Sequence, residues 1–182
     1  AGFGAEDRAV PVETLEAALI FPQRAVGLGV GVQAQDLVGP GRVRARAGTL
    51  IEDMEIATRK IGWEQRMHPS TKLEATIGGF IAGGSGGPGA VTYGQLQEPG
   101  NILAAQIVTM EDTPRVLELE GREAYRIYNT YGATGIVTEI EMPTAPAWDW
   151  RETIVAFPDY MDALRFAVDT AKAPGIIKKV MS

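Results

Sequence analysis

The chain has 182 residues, of which 45% are hydrophobic, and a formal net charge of −6. This length predicts one globular domain, or one domain and part of another, with enough apolar residues for a core. The acidic balance argues against a nucleic-acid partner. The absence of cysteine and the presence of only one histidine exclude disulfides, thiolate zinc sites and His-rich metal sites.

Neither end of the sequence nor its interior predicts membrane insertion. No apolar run approaches the ~20 residues of a membrane span. The first residues, AGFGAEDR, lack the basic and apolar regions of a signal peptide. We therefore expect no membrane span and a cytoplasmic location.

Apolar spacing near the N-terminus favours a short helix over Val12–Phe21 and a buried glycine-rich strand or turn over Ala25–Val32. The run RVRAR at Arg42–Arg46 alternates basic and apolar residues. Such alternation is typical of a half-buried strand with a solvated face, and we prefer this interpretation to a nucleic-acid patch.

Two helices are predicted from capping residues and apolar periodicity. Thr49–Glu52 has the form of a capping box, and apolar residues at helical spacing follow until Gly62, which predicts a helix over residues 50–61. A second helix is predicted to begin near Asp159 and to end at Pro174-Gly175.

Extended segments between these helices are bounded by Gly, Pro, Asn and Asp clusters. They are Ile102–Thr109, Arg115–Leu119, Gly135–Met142 and Glu152–Phe157. In the third, apolar residues alternate with largely charged ones, as in a sheet with one buried face. The predicted fold class is therefore α+β, with a mostly antiparallel sheet flanked by helices. The proline- and tryptophan-rich Pro143–Trp150 predicts a rigid crossing between units.

The stretch Thr76–Gly94, TIGGFIAGGSGGPGAVTYG, holds eight glycines, and no Lys or Arg occurs between Leu73 and Pro114. Its Gly84–Gly89 segment satisfies G-x-G-x-x-G. A Rossmann site is nevertheless not expected, because the AVTYG that follows does not open a helix. The sequence also contains no P-loop motif.

Two interpretations of this stretch remain open on physical grounds. Bare backbone can present N–H groups to an anion, while Ile77, Phe80 and Ile81 anchor the stretch in the core. The alternative is a glycine-rich structural bend between strands. A Ser-His-Asp site would require His68, which beside Pro69 is more typical of a surface or loop residue.

The order of motifs resembles that of FAD-linked oxidases. TIGGFIAGGSGG is followed by VTYG, NILAAQIVT and, some thirty residues later, YGATGIVTEIEM; RVRARAGT, KIGW and HPSTKLEATIGG lead into it. This order is similar to the PCMH-type FAD-binding fold shared by vanillyl-alcohol oxidase, glycolate oxidase and D-lactate dehydrogenase flavoproteins. The resemblance covers residues 40–142. Beyond Trp148, ETIVAFPDYMDALRFAV is similar to the opening of that family's substrate or cap domain.

The resemblance implies three parts of the chain. Residues 1–48 would be a remnant or atypical first subdomain, residues 49–147 the second subdomain of the FAD-binding domain, and residues 148–182 the start of the cap domain. Residues 1–40 do not reproduce the family's R-G-x-G-T pyrophosphate loop, to which GLGVG at Gly27–Gly31 comes nearest. We therefore expect an incomplete first subdomain and the lack of most of the cap domain.

The resemblance also implies which residues bind the cofactor, chiefly through their backbone. FAD is expected to be non-covalent, because the family's attachment histidines do not typically occupy the position of His68. A structural bend is the alternative at each glycine, and Tyr93 could instead pack beneath the loop. The implied cofactor-binding residues are Pro69, Ser70, Thr76, Ile77, Gly78, Gly79, Ser85, Gly86, Gly87, Tyr93, Gly94, Gly135, Ile136 and Val137.

The implied activity is that of an FAD-linked oxidase or dehydrogenase. A small-molecule substrate, a 2-hydroxy acid or related alcohol, would pass a hydride to flavin N5. No catalytic acid or base is identified, and we expect this chain to be inactive by itself. A homo-oligomer or the missing remainder of the polypeptide is the expected partner.

Two other classes of protein compete with this interpretation. The chain could be a truncated or degenerate non-catalytic binding or assembly module that does not hold FAD. It could also be a carbohydrate-binding domain that stacks sugars on Trp63, Trp148 or Trp150, although scattered tryptophans are more typical of core or hinge positions.

Overall fold

The computed structural model of the chain describes residues 37–181. The segments Val12–Phe21, Ala25–Val32 and Gly27–Gly31 lie outside the described residues. The strands are β1 (Leu37–Gly39), β2 (Arg42–Arg46), β3 (Trp63–Gln65), β4 (Ala104–Val108), β5 (Val116–Glu120) and β6 (Ile136–Pro146). The helices are α1 (Ile51–Arg59), α2 (Ile77–Gly83), α3 (Ala90–Tyr93) and α4 (Tyr160–Lys172), with a 3₁₀ helix over Glu123–Ile127.

The described strands form one antiparallel sheet in the order β1-β2-β6-β4-β5, and β3 pairs with the far end of β6. The central strand β6 is 11 residues long. Its first part pairs with β2 and β4, and its last three residues pair with β3. Together with the helices, this sheet confirms the predicted α+β class.

Three of the four predicted extended segments are confirmed as β4, β5 and β6. The last strand continues four residues beyond Met142, because Thr144–Pro146 pair with β3, a short strand that the sequence analysis did not predict. The prediction for Glu152–Phe157 is wrong: this segment pairs with no described strand. Its Ile154 is 98% exposed, so this apolar side chain does not hold the segment against the sheet.

Helix α1 begins differently from the prediction. Its N-cap is Leu50, which makes no side-chain cap hydrogen bond, so the capping box at Thr49 is wrong. The first helical amide, that of Ile51, instead donates to the carbonyl of Ala75 at 3.0 Å. A tertiary contact therefore satisfies a donor that a cap side chain usually satisfies. The helix ends at Arg59, slightly before the predicted end.

The glycine-rich stretch contains more helix than predicted. Residues 77–83 form α2, and the hydroxyl of the N-cap Thr76 accepts from the amide of Gly79 at 3.2 Å. Contrary to expectation, Ala90–Tyr93 also forms a helical turn. A Rossmann site remains excluded in the described part of the chain, because every strand pair there is antiparallel.

The two faces of the sheet differ in polarity. Val43 and Ala45 of β2 are buried in the core, which confirms the predicted half-buried strand. On the other face Arg44 donates to both carboxylate oxygens of Glu118 at 2.6 and 2.9 Å and to Glu139 at 2.8 Å. These bonds, led by that to Glu118, raise the pKa of Arg44. The apolar core comprises Val43, Ala45, Ile51, Met54, Met67, Ile77, Phe80, Ile81, Leu96, Ile102, Ala105, Ile107, Ala124, Ile127, Ile140 and Met142.

Helix α4 confirms the second predicted helix. The carboxylate of its N-cap, Asp159, accepts from the amide of Met161 at 2.8 Å, and the helix ends at Lys172, just before Pro174-Gly175. None of its residues is buried. Within the described range, none of the helices has the length and apolar character needed to cross a bilayer.

Candidate cofactor site

The start of α2 is fixed against the turn that follows β2. The amide of Ile77 donates to the carbonyl of Thr49 at 3.0 Å, and that of Gly78 donates to the carbonyl of Ala47 at 2.8 Å. A Cβ on Gly78 would lie 2.7 Å from the Cβ of Ala47. Glycine is therefore required at residue 78 for the helix to approach the turn closely.

These contacts also decide which atoms the start of α2 can offer a ligand. The amides of Ile77, Gly78 and Gly79 all donate within the protein, to two carbonyls and to the Thr76 hydroxyl. Contact between these predicted residues and a cofactor would therefore use Cα, carbonyl or side-chain atoms, since none of the three N–H groups is vacant.

In the loop after α2, by contrast, several backbone N–H groups have no acceptor within the described protein. Among the described residues, the amides of Ser85, Gly86 and Gly87 have no acceptor, and the first two residues are exposed. A Cβ on Gly87 would overlap the carbonyl oxygen of His68, and it would also lie 3.1 Å from the Cα of Pro69. This contact places Gly87 beside Pro69, at the end of a run of three consecutive N–H groups without acceptors, an arrangement suited to an anion.

The outward face of α2 is bare backbone. Gly79 and Gly83 are four residues apart and therefore share one face of the helix. A Cβ on Gly83 would meet nothing within 4 Å, and one on Gly79 would meet only the Thr76 hydroxyl, at 3.2 Å. Gly48, in the turn against which α2 packs, is also exposed and open. No contact in the described protein requires glycine at residues 48 and 83.

Gly48 and Gly83 were not among the residues predicted from the sequence. The signal for Gly83 is its four-residue spacing from Gly79, but this spacing has meaning only once the IGGFIAG segment is known to be helical. The signal for Gly48 is its place between β2 and α1, where the chain passes the start of α2.

The predicted residues at the start of β6 precede a contact with the same turn. The amide of Ala47 donates to the carbonyl of Thr138 at 2.8 Å, and Ile136 and Val137 come directly before Thr138 in the strand. Gly135 has a φ of 139°, and its Cβ would lie 2.9 Å from the carbonyl oxygen of Val108. Strand packing therefore accounts for this glycine by itself.

Tyr93 and Gly94 have structural explanations in the described residues. The ring of Tyr93 packs partly buried against the core, with the guanidinium of Arg66 5.5 Å from its centroid. Burial raises the pKa of the Tyr93 phenol. A Cβ on Gly94 would overlap the carboxylate of Glu98. Packing against the core therefore accounts for Tyr93 without a ligand, and its contact with the cofactor stays a prediction.

His68 is half-buried beside this loop. Its Nδ1 lies 3.0 Å from the carbonyl oxygen of Pro69. Burial lowers the pKa of the imidazole, and the nearby Lys179 and Lys72 lower it further, although the bond to Pro69 opposes them. Burial and the two lysines therefore favour the neutral form of the imidazole over the charged form.

We expect His68 to make the protein less stable as the pH falls. Its pKa is depressed on folding, so the unfolded chain binds the proton more tightly. Its contribution to stability is complete above the unfolded pKa of about 6.5 and is lost as the pH falls towards the folded pKa. Urea titrations at several pH values between about 7 and 5 should show a smaller loss of unfolding free energy for His68→Gln than for the wild type. Equal losses would contradict this prediction.

The site holds no other recognisable chemistry within the described residues. They contain no group of three or more His, Cys, Asp or Glu side chains that could hold a metal ion. The geometry described above is that of a surface of backbone and small side chains, suited to holding a large flat ligand with an anionic part rather than to proton transfer.

A family match agrees with this surface. Residues 31–117, slightly under half of the chain, are similar to the family described as FAD binding domain. The solved structures give the fold. Alkyldihydroxyacetonephosphate synthase in crystal form P212121 is similar with a TM-score of 0.53 and 22% identity, and the P1 form with 0.53 and 24%.

These similarities have a limited extent. Each match covers 60% of this chain and 21% of the synthase chain, so this chain spans about a fifth of the synthase's length. At such identities the likeness shows the fold alone, which is the predicted PCMH-type FAD-binding fold. No curated protein matches the chain.

Proposed function

We propose that this chain forms one wall of a non-covalent FAD site in a flavin-dependent oxidoreductase. The observation that carries the proposal is the bare outward face of α2, formed by Gly79 and Gly83, at a helix whose start packs against the turn that contains the open Gly48. Nothing in the described protein requires glycine at residues 48 and 83, whereas a flat ligand lying against the helix would. The family match supports FAD as that ligand.

The loop of Ser85, Gly86 and Gly87 would serve the anionic part of the cofactor. Its three amides have no acceptor in the described residues. No Lys or Arg lies between Leu73 and Pro114, so amide dipoles would replace cationic side chains there as partners of the diphosphate. Pro69, which packs against the loop, and the neighbouring Ser70 would border the same surface.

The substrate in this proposal is a 2-hydroxy acid or a related alcohol, as the resemblance to glycolate oxidase and D-lactate dehydrogenase flavoproteins suggests. Bound FAD supplies the hydride acceptor. The described residues of this chain would bind and orient the cofactor and keep water from the side that they cover. The acid–base groups and the substrate pocket would come from a second copy or from the remainder of a longer polypeptide.

Flavin binding can be measured directly on the purified chain. We expect saturable quenching of flavin fluorescence when the chain is titrated into FAD, together with a perturbed flavin absorption spectrum. Gly86→Val should weaken binding about tenfold by steric exclusion. This variant should fold, because a Cβ there meets only the flexible end of Gln95, at 2.9 Å.

The matched control is Gly175→Val, because a Cβ on that glycine meets nothing within 4 Å and Gly175 lies beyond α4. Its affinity for FAD should equal that of the wild type. Absence of flavin binding by the folded wild type would overturn the proposal and favour the non-catalytic module. Equal binding by Gly86→Val would refute the placement of the diphosphate at the loop.

A further inference from the structure

A buried carboxylate joins three distant segments of the chain. Glu64 of β3 is fully buried, and its oxygens accept from four groups. Arg59 Nη2 lies at 2.5 Å, Lys179 Nζ at 3.2 Å, Trp150 Nε1 at 3.0 and 3.1 Å, and the amide of Trp148 at 3.3 Å. The C-terminal segment is thus tied to the sheet through a polar centre.

Lys179 makes two further contacts that reach the glycine loop. Its Nζ donates to the carbonyl of Gln65 at 2.7 Å, and its own carbonyl accepts from the amide of Gly89 at 2.5 Å. Next to it, the carbonyl of Lys178 accepts from the hydroxyl of Thr92 at 2.5 Å. Residues 178–179, which we call the strap, therefore link β3 to the segment directly after the vacant amides.

Apolar packing contributes little to this docking. No residue of α4 is buried, so the helix is not held by a hydrophobic face. The side chain of Lys178 instead caps the end of α4, donating to the carbonyls of Thr170 at 3.2 Å and Ala173 at 2.7 Å. The side chain of Lys179 is only 15% exposed, so its contacts are shielded from solvent.

We propose that Lys179 is a positioning residue that holds the glycine loop in its ligand-ready conformation. The loop is fixed on one side by the amide of His68, which donates to the carbonyl of Pro88 at 3.1 Å. The strap fixes it on the other side through Gly89. Docking of the C-terminal segment on Glu64 is thereby coupled to the order of the amides of residues 85–87.

The functional part of this inference rests on the proposed FAD site. A loosened loop must lose conformational freedom when the diphosphate binds, and this cost lowers affinity. A loop that the strap already holds does not bear that cost. Docking of the C-terminal segment would therefore strengthen cofactor binding without a direct contact to the cofactor.

The test compares Lys179→Met with Lys172→Met. The first removes the ammonium that binds Glu64 and Gln65, whereas Lys172 is an exposed lysine at the end of α4. Hydrogen–deuterium exchange followed by mass spectrometry should show faster exchange over residues 85–92 in the first variant only. FAD affinity should fall about tenfold in that variant and stay unchanged in the control.

Lys179→Arg keeps the charge opposite Glu64 and should restore most of the slow exchange, which guards against a merely unfolded methionine variant. Unchanged exchange over residues 85–92 in folded Lys179→Met would overturn the proposal. Faster exchange with unchanged FAD affinity would support the strap and contradict the placement of the diphosphate. The exchange comparison decides the role of Lys179 even if the chain binds no FAD.

Discussion

Replacing Glu64 with alanine should lower the free energy of unfolding by about 3–5 kcal/mol, as expected when one partner of a buried ion pair is removed. Glu64 is fully buried and accepts from Arg59, Lys179 and Trp150. Its loss would leave the shielded ammonium of Lys179, which is 15% exposed, without an anion. Denaturant titration monitored by tryptophan fluorescence would measure the change.

Two further variants show whether burial is the cause. Glu123→Ala removes a carboxylate whose pair with Arg126 is mostly exposed, at 56% and 69%, and should cost less than about 1 kcal/mol. Glu64→Gln keeps the volume and one acceptor oxygen but loses the charge and the second acceptor, and should fall between the wild type and Glu64→Ala. A cost for Glu64→Ala no larger than that for Glu123→Ala would mean that the cluster does not stabilise the fold.

The cluster also explains why a polar centre would be retained there. A buried ion pair is often no more stabilising than an apolar replacement, but it specifies one arrangement of its partners. In this arrangement Arg59 of α1, Trp150 and Lys179 share one carboxylate. The polar network thus supplies an orientation that the exposed helix α4 cannot supply by packing.

Local sequence patterns predicted the elements that depend on local forces. The alternation of RVRAR and the Asp159 cap are short-range features, and β2 and α4 follow them. The order of motifs around the glycine-rich stretch predicted the FAD-binding fold, which the family match and the solved structures confirm.

Elements that depend on distant partners were missed. The strand β3 exists because it pairs with the end of β6, about 80 residues later in the chain. The Glu64 cluster joins residues up to 115 positions apart. Neither periodicity nor composition carries information about such contacts. The capping-box prediction is wrong for the same reason. The amide of Ile51 donates to the carbonyl of Ala75, which is distant in sequence, and no side chain caps the helix.

The sequence alone also could not show which role each glycine has. Gly78 and Gly79 are neighbours with identical side chains, yet residue 78 must be glycine for packing against Ala47 whereas residue 79 faces outward. A glycine pattern predicts bare backbone but not which side faces the protein and which faces a ligand. The three-dimensional contacts separate glycines required for packing from glycines with an open face. The open glycines are the ones that indicate where a ligand could lie.

Substitution of Gly83 best distinguishes an effect on protein stability from an effect on cofactor binding. A Cβ there meets nothing within 4 Å, so Gly83→Ala should stabilise α2, by less than the roughly 0.5–1 kcal/mol found in a helix interior because Gly83 is the last helical residue. If the outward face of α2 lies against FAD, the same methyl group should weaken flavin binding. Stability and affinity would thus change in opposite directions, which general damage to the fold cannot produce.

Gly83→Leu enlarges the steric effect. Overpacking typically costs about 1–3 kcal/mol, which corresponds to a roughly 5-fold to 150-fold weaker affinity for FAD. Flavin fluorescence titration gives the affinity, and thermal unfolding of the unliganded chain gives the stability. Gly175→Leu is the control, because that glycine is equally open but lies beyond α4. Equal FAD affinity for both leucine variants would show that the cofactor does not lie against α2, since a side chain the size of leucine cannot share that face with a flat ligand.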